Sequence, residues 1–190
     1  YLKLDKKNDA RMAFYRASNL DFDPLIQEEA SYYYAVITFE LSYAPFNDAI
    51  NALLGYIEKY PASHRLQSVY EYLIQAYLNT NNYRMAYESM KKIKKITPEL
   101  YPAWQKIAYY RGIELFKNQQ YIDAIEMFNE SQKYGILNEK VYCLSNYWKA
   151  ESYFKQKNYK DALKYYNEFL KNSAAYSLRE FPYAYYGIGY

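Results

Sequence analysis

The side chains best suited to chemistry in this sequence are few and scattered. The one histidine, His64, follows Pro61 in a stretch that reads as a connection between helices. A histidine base needs an orienting partner and a nucleophile within reach, and the sequence offers no such set. His64 is therefore expected at a helix start. The one cysteine, Cys143, sits beside Tyr142 and Leu144 and reads as a small buried hydrophobe rather than a reactive thiol. A lone cysteine forms no internal disulfide, so it decides no redox compartment. No Cys/His group has metal-ligand spacing and there is no glycine-rich phosphate loop, so neither metal nor cofactor is expected and no residue is given a catalytic role. The acidic pairs Glu28-Glu29 and Asp21/Asp23 read as solvated or as helix-start residues. Lys91-Lys92-Ile93-Lys94-Lys95 is the best nucleic-acid candidate, yet at the end of a helix it reads as a solvent face complementing the helix dipole. Asn129-Glu130-Ser131 fits a glycosylation sequon but falls inside a helix.

Composition says what kind of framework must position these residues. Of 190 residues, 51% are hydrophobic, enough to bury a sizeable core. With only 5 glycines and 6 prolines, a turn-dense β fold is disfavoured. Tyrosine is extreme at 29 residues, and a tyrosine buries a large ring while keeping a polar tip. Lys and Arg total 24 against 21 Asp and Glu, too balanced for the concentrated basic face that phosphate binding needs. No apolar run approaches the roughly 18 residues of a membrane span. The chain opens on Tyr1 rather than a methionine and is expected to be a piece of a longer protein.

A repeat organises the whole chain. Ala10, Ala49, Ala86, Ala124 and Ala162 recur at steps of 39, 37, 38 and 38 residues. Four residues after each stands a large side chain: Phe14, Leu53, Met90, Phe128 and Tyr166. Three further on come Ala17, Tyr56, Ile93, Ser131 and Phe169, and steps of four then three mark one face of an α-helix. Pro61 and Pro98, each 12 residues after its alanine, are expected to end that helix. Upstream lies a first helix in each unit, with Tyr70, Leu73, Ile74 and Tyr77 in one, Gly112 and Leu115 in the next, and Ala150 and Tyr153 in the third. Short polar turns (79–82, 117–120 and 155–158) join first helix to second, and a longer one is expected over 42–47.

These motifs resemble the tetratricopeptide repeat family over essentially the whole chain, with a period longer than the family's 34 residues. The resemblance implies an all-α fold, an α-α superhelix of antiparallel helix hairpins. It divides the chain into a partial repeat 1–24, repeats 25–62, 63–99, 100–137 and 138–175, and a partial repeat 176–190, in one continuous array. Tyr-rich helices and the segment Phe46-Asn47-Asp48-Ala49-Ile50 also resemble long tetratricopeptide proteins of bacterial cell envelopes. First helices would line a concave groove that binds a protein or peptide without chemistry.

By the family's pattern the groove residues are Tyr32, Glu71, Tyr109 and Tyr147 at one level, and Val36, Gln75, Ile113 and Glu151 at the next. Phe39, Leu78, Phe116 and Phe154 follow, then Glu40, Asn79, Lys117 and Lys155. Phe39, Phe116 and Phe154 read as packing between hairpins, while Tyr109 and Tyr147 fit either packing or contact. As contact residues, Tyr109→Ala or Tyr147→Ala would weaken a partner without unfolding the domain. The positions at which some family members clamp a terminal carboxylate hold tyrosines, Val36, Glu71 and Gln75, which argues against such a clamp. RNA stacking on Tyr and Lys side chains, or a role as spacer in a larger envelope protein, are the alternatives.

Overall fold

Helix is the default along this chain because prolines fall at helix starts and connections rather than inside periodic stretches. The computed structural model describes residues 1–21, 23–42, 46–94 and 96–189. Among them are ten α-helices and no strand. The helices are α1 (Lys7–Ser18), α2 (Pro24–Leu41), α3 (Asn47–Lys59), α4 (Leu66–Asn79), α5 (Tyr83–Met90), α6 (Tyr101–Lys117), α7 (Tyr121–Gln132), α8 (Glu139–Lys155), α9 (Tyr159–Lys171) and α10 (Phe181–Gly189). Local chemistry marks their starts. Asp23 caps α2 by accepting the backbone N–H of Leu25 at 2.8 Å, with Pro24 at the first helical position. Asn82, Asn138 and Asn158 accept backbone N–H groups at the starts of α5, α8 and α9.

The chain divides into two compact units, Tyr1–Lys94 and Lys95–Tyr190. In the first, each of α1 to α4 packs on the next, and α2 also touches α4. In the second, each of α6 to α9 packs on the next, and α6 also touches α8. The alanines that set the period are buried. Ala10, Ala49, Ala86, Ala124 and Ala162 are all at most 2% exposed, at the starts of α1, α3, α5, α7 and α9. The large residues one turn on follow them inward, for Leu53, Met90, Phe128 and Tyr166 are buried. Gly112 on α6 is buried as well. A methyl group there would stand 2.6 Å from Phe128 Cε1 of α7, closer than atoms can approach.

The turns repeat as faithfully as the alanines. Asn81, Gln119 and Lys157 each hold a left-handed backbone, with φ of 54°, 63° and 61°. The next residue's N–H then reaches back to the first helix, from Asn82 to Tyr77 O, Gln120 to Leu115 O and Asn158 to Tyr153 O, each at 2.9 Å. This is the bond pattern that closes a helix over a left-handed residue.

Two expectations are corrected. Helix α5 ends at Met90, well short of Pro98, so the basic run lies beyond the helix rather than at its end. Ile93, expected on the helix face, is buried from the following segment instead. Pro98 opens a short 3-10 turn, Pro98–Leu100, that leads into α6. Residues 43–45 of the expected long turn, Lys95 of the basic run and Tyr190 of the last expected helix lie outside the described residues.

A left-handed backbone costs a side-chain-bearing residue about 1 kcal/mol that glycine avoids, less glycine's greater entropy when unfolded. Lys157→Gly should therefore stabilise the chain by about 0.5 kcal/mol in denaturant unfolding. A loss of stability would contradict the turn geometry at Lys157.

Candidate functional site

The residues expected to face a groove fall into different environments. In the first unit, Tyr32 is half-buried. Its hydroxyl lies 3.1 Å from Ser68 Oγ, and the Arg65 guanidinium sits 4.7 Å from its ring centre. Glu71 accepts a hydrogen bond from Gln67 Nε2 at 3.3 Å, and Gln75 is exposed. Phe39 packs on Tyr72 with ring centres 5.2 Å apart, as its packing reading anticipates.

In the second unit, Ile113 is half-buried beside Tyr109 and Phe128, while Lys117 and Lys155 are exposed. Phe116 lies 5.0 Å from Trp148, joining α6 to α8. Tyr109 and Tyr147 are each only 7% exposed. Tyr109 packs with Leu115, Ala124 and Phe128, and Tyr147 lies 5.4 Å from Phe169 and 6.1 Å from Tyr166. Their rings belong to the core, so the expectation that alanine at either position spares the fold is corrected. Removing such a ring costs about 3–5 kcal/mol.

Two of the cavities bear on ligand binding. One, of about 580 Å³, lies between α1 and α3 over α2. Its walls carry both signs of charge in Arg11, Asp48 and Lys59, and Lys59 Nζ donates to Ser18 O at 3.1 Å. None of the expected groove residues lines it.

The other, of about 380 Å³, is lined by Tyr147, Glu151 and Phe154 of α8, Tyr166 of α9, and Tyr183, Tyr186 and Gly187 of α10. It brings together three of the expected groove positions, Tyr147, Glu151 and Phe154. Helix α9 turns Tyr166 inward because Ala162, Tyr166 and Phe169 form its buried stripe. Tyr166 Oη donates to Glu151 Oε1 at 2.6 Å, a short charge-assisted bond. Burial, with the Glu151 charge, pushes the Tyr147 and Tyr166 hydroxyls far above the ordinary phenol range, so both remain protonated donors. Gly187 permits the close approach of α10, since a methyl there would meet Tyr166 Cζ at 2.6 Å. Tyr183 and Tyr186 stand 64% and 69% exposed at the mouth.

Cys143 is fully buried in the core of the second unit, and burial raises its thiol to about 11, so it is no nucleophile at neutral pH. His64 lies exposed in the turn before α4. Glu28, expected to be solvated, is instead half-buried, accepting from Ser63 Oγ at 2.5 Å and Tyr56 Oη at 2.9 Å. These bonds hold its carboxyl below the usual range, while burial lifts the Tyr56 phenol to about 12. Glu29 is exposed and lies 3.5 Å from Arg65. Among the described residues no group of three His, Cys, Asp or Glu side chains is placed to hold a metal, and no helix is long and apolar enough to cross a membrane.

The sequence reading missed Tyr166, Tyr183, Tyr186 and Gly187 as pocket residues, because the pocket forms only where α10 meets α9. It also missed Lys149. That side chain is 4% exposed and bonds to amides, with Nζ 2.5 Å from Gln132 Oε1 and 3.3 Å from Asn129 Oδ1. The Tyr165 ring centre lies 4.4 Å away. The chain matches no family model and no curated protein sequence.

Burial, helped by the nearby Lys164 charge and only partly opposed by that of Glu168, lowers the Lys149 ammonium to about 8 from an ordinary 10.5. Below pH 8 the folded and unfolded chains both hold that proton, and the cost of burying the charge is fully present. Between 8 and 10.5 the unfolded chain binds more protons, so stability rises with pH. The unfolding free energy of the wild type minus that of Lys149→Met should be flat below pH 8 and climb by about 1.4 kcal/mol per pH unit above it. A difference that stays flat through pH 10 would place the lysine head in water.

Proposed function

We propose that this chain is a non-catalytic scaffold of tetratricopeptide-like hairpins that holds a peptide segment of a partner protein against its first helices. The observation that supports this best is the pocket on α8 and α10, where exposed Tyr183 and Tyr186 flank a deeper aromatic wall. Tyrosine offers rigid contact area with little entropy to lose, which is why it dominates contact surfaces. The recurrence of buried alanines and identical turns supports the repeat reading. The nucleic-acid alternative is less well supported. Lys91 of the basic run pairs with Glu88 at 2.8 Å, and the pocket carries a carboxylate where a phosphate would need a cation.

Because Tyr183 and Tyr186 are exposed, replacing both by alanine should leave the melting temperature nearly unchanged. Peptides selected from a displayed random library should lose about tenfold in affinity for that double variant. Selected peptides indifferent to the change would count against the pocket as their docking site. Single-stranded RNA bound in a steeply salt-dependent way would favour the nucleic-acid reading instead.

A further inference from the structure

The pocket between α8, α9 and α10 has two properties that select one class of ligand. Its walls are ring-lined, with the buried Tyr147 and Tyr166 beneath the exposed Tyr183 and Tyr186. Aromatic faces carry negative potential and attract organic cations. The charge at the pocket has the same sign. Glu151 lines the wall, and Glu180, at the start of α10, is close enough to act on the Tyr147 hydroxyl. Neither carboxylate takes part in an ion pair among the described residues. Lys155, one helical turn from Glu151, is exposed and makes no ion pair with it. The Tyr166 hydroxyl that bonds Glu151 brings no positive charge to the pocket.

We propose that this pocket receives a basic side chain of the bound peptide, its carbon stem against the rings and its ammonium or guanidinium at Glu151. The assignment rests on the scaffold reading above and names the chemistry that the docked segment must present. A volume of about 380 Å³ accommodates one such side chain with its adjoining backbone. The two cationic heads share the same recognition, charge to Glu151 and attraction to ring faces, so either fits the site.

The test uses the whole chain and small probes, with no partner present. Nα-acetyl-lysine methylamide, Nα-acetyl-arginine methylamide, the neutral Nα-acetyl-norleucine methylamide and choline are titrated by ligand-observed NMR. At least one basic probe is expected to bind saturably and the norleucine probe not to. Glu151→Gln retains an acceptor for the Tyr166 hydroxyl while removing the charge, and it should weaken the basic probe about tenfold. Tyr183→Ala, at an exposed ring, should weaken it several-fold without lowering the melting temperature. Equal binding of the norleucine probe, indifference to Glu151→Gln in a folded variant, or no saturable binding at all would overturn the assignment. Choline binding more tightly than either amino-acid probe would overturn it in favour of a free quaternary ammonium. Silent probes alongside library peptides that still depend on Tyr183 and Tyr186 would sink this inference and leave the scaffold standing.

Discussion

Close approach of paired helices is the constraint on which the structure depends. Ala49, Ala86, Ala124 and Ala162 open the second helix of each pair, and each is at most 2% exposed. Helices so close bring the side chains one and two turns further along into the same layer. That layer holds Leu53 and Tyr56 in α3, Met90 in α5, Phe128 in α7, and Tyr166 and Phe169 in α9. The short left-handed turns at Asn81, Gln119 and Lys157 join helices already held at that spacing. Gly112 shows how narrow the tolerance is, because the Phe128 ring occupies the space a single methyl group would need.

The same constraint explains why tyrosine is so abundant. A helix packed on both sides has little purely solvent-facing surface, and side chains at its edges need an apolar body with a polar end. Tyr56 and Tyr166 are nearly fully buried rings, yet their hydroxyls reach Glu28 at 2.9 Å and Glu151 at 2.6 Å. Helix α8 takes this further. It contacts α6, α7 and α9, and it buries Ser145, Asn146 and Lys149 in a polar layer completed by Gln132 and Ser131 of α7. Such a layer is stable only where nearly every buried donor and acceptor finds a partner.

Much of this was legible in the sequence for a steric reason. A position that admits only a small residue betrays itself by residue type, so the alanine series announced the helix pairs and their spacing. Residues that favour caps and turns announced the connections, and Asn82 and Asn158 do cap their helices. What stayed hidden depends on neighbours distant in sequence. Lys149 looks like any solvent-facing lysine until α7 and α9 cover it. The end of α5 at Met90 leaves two good helix formers, Lys91 and Lys92, outside the helix, and nothing in local propensity predicts that stop. The pocket was half visible. Tyr147 and Glu151 follow from register, whereas Tyr183, Tyr186 and Gly187 require knowing how α10 rests on α9.

Comparing Ala124→Leu with Glu126→Leu tests the packing constraint most directly. Both add a leucine to α7, one at a sealed contact and the other two residues on at an exposed position. Denaturant unfolding should show Ala124→Leu less stable by about 1–3 kcal/mol, and Glu126→Leu within about 0.5 kcal/mol of the wild type. Equal stability of the two variants would mean that α6 and α7 are not held together at Ala124, and the packing described here could not stand.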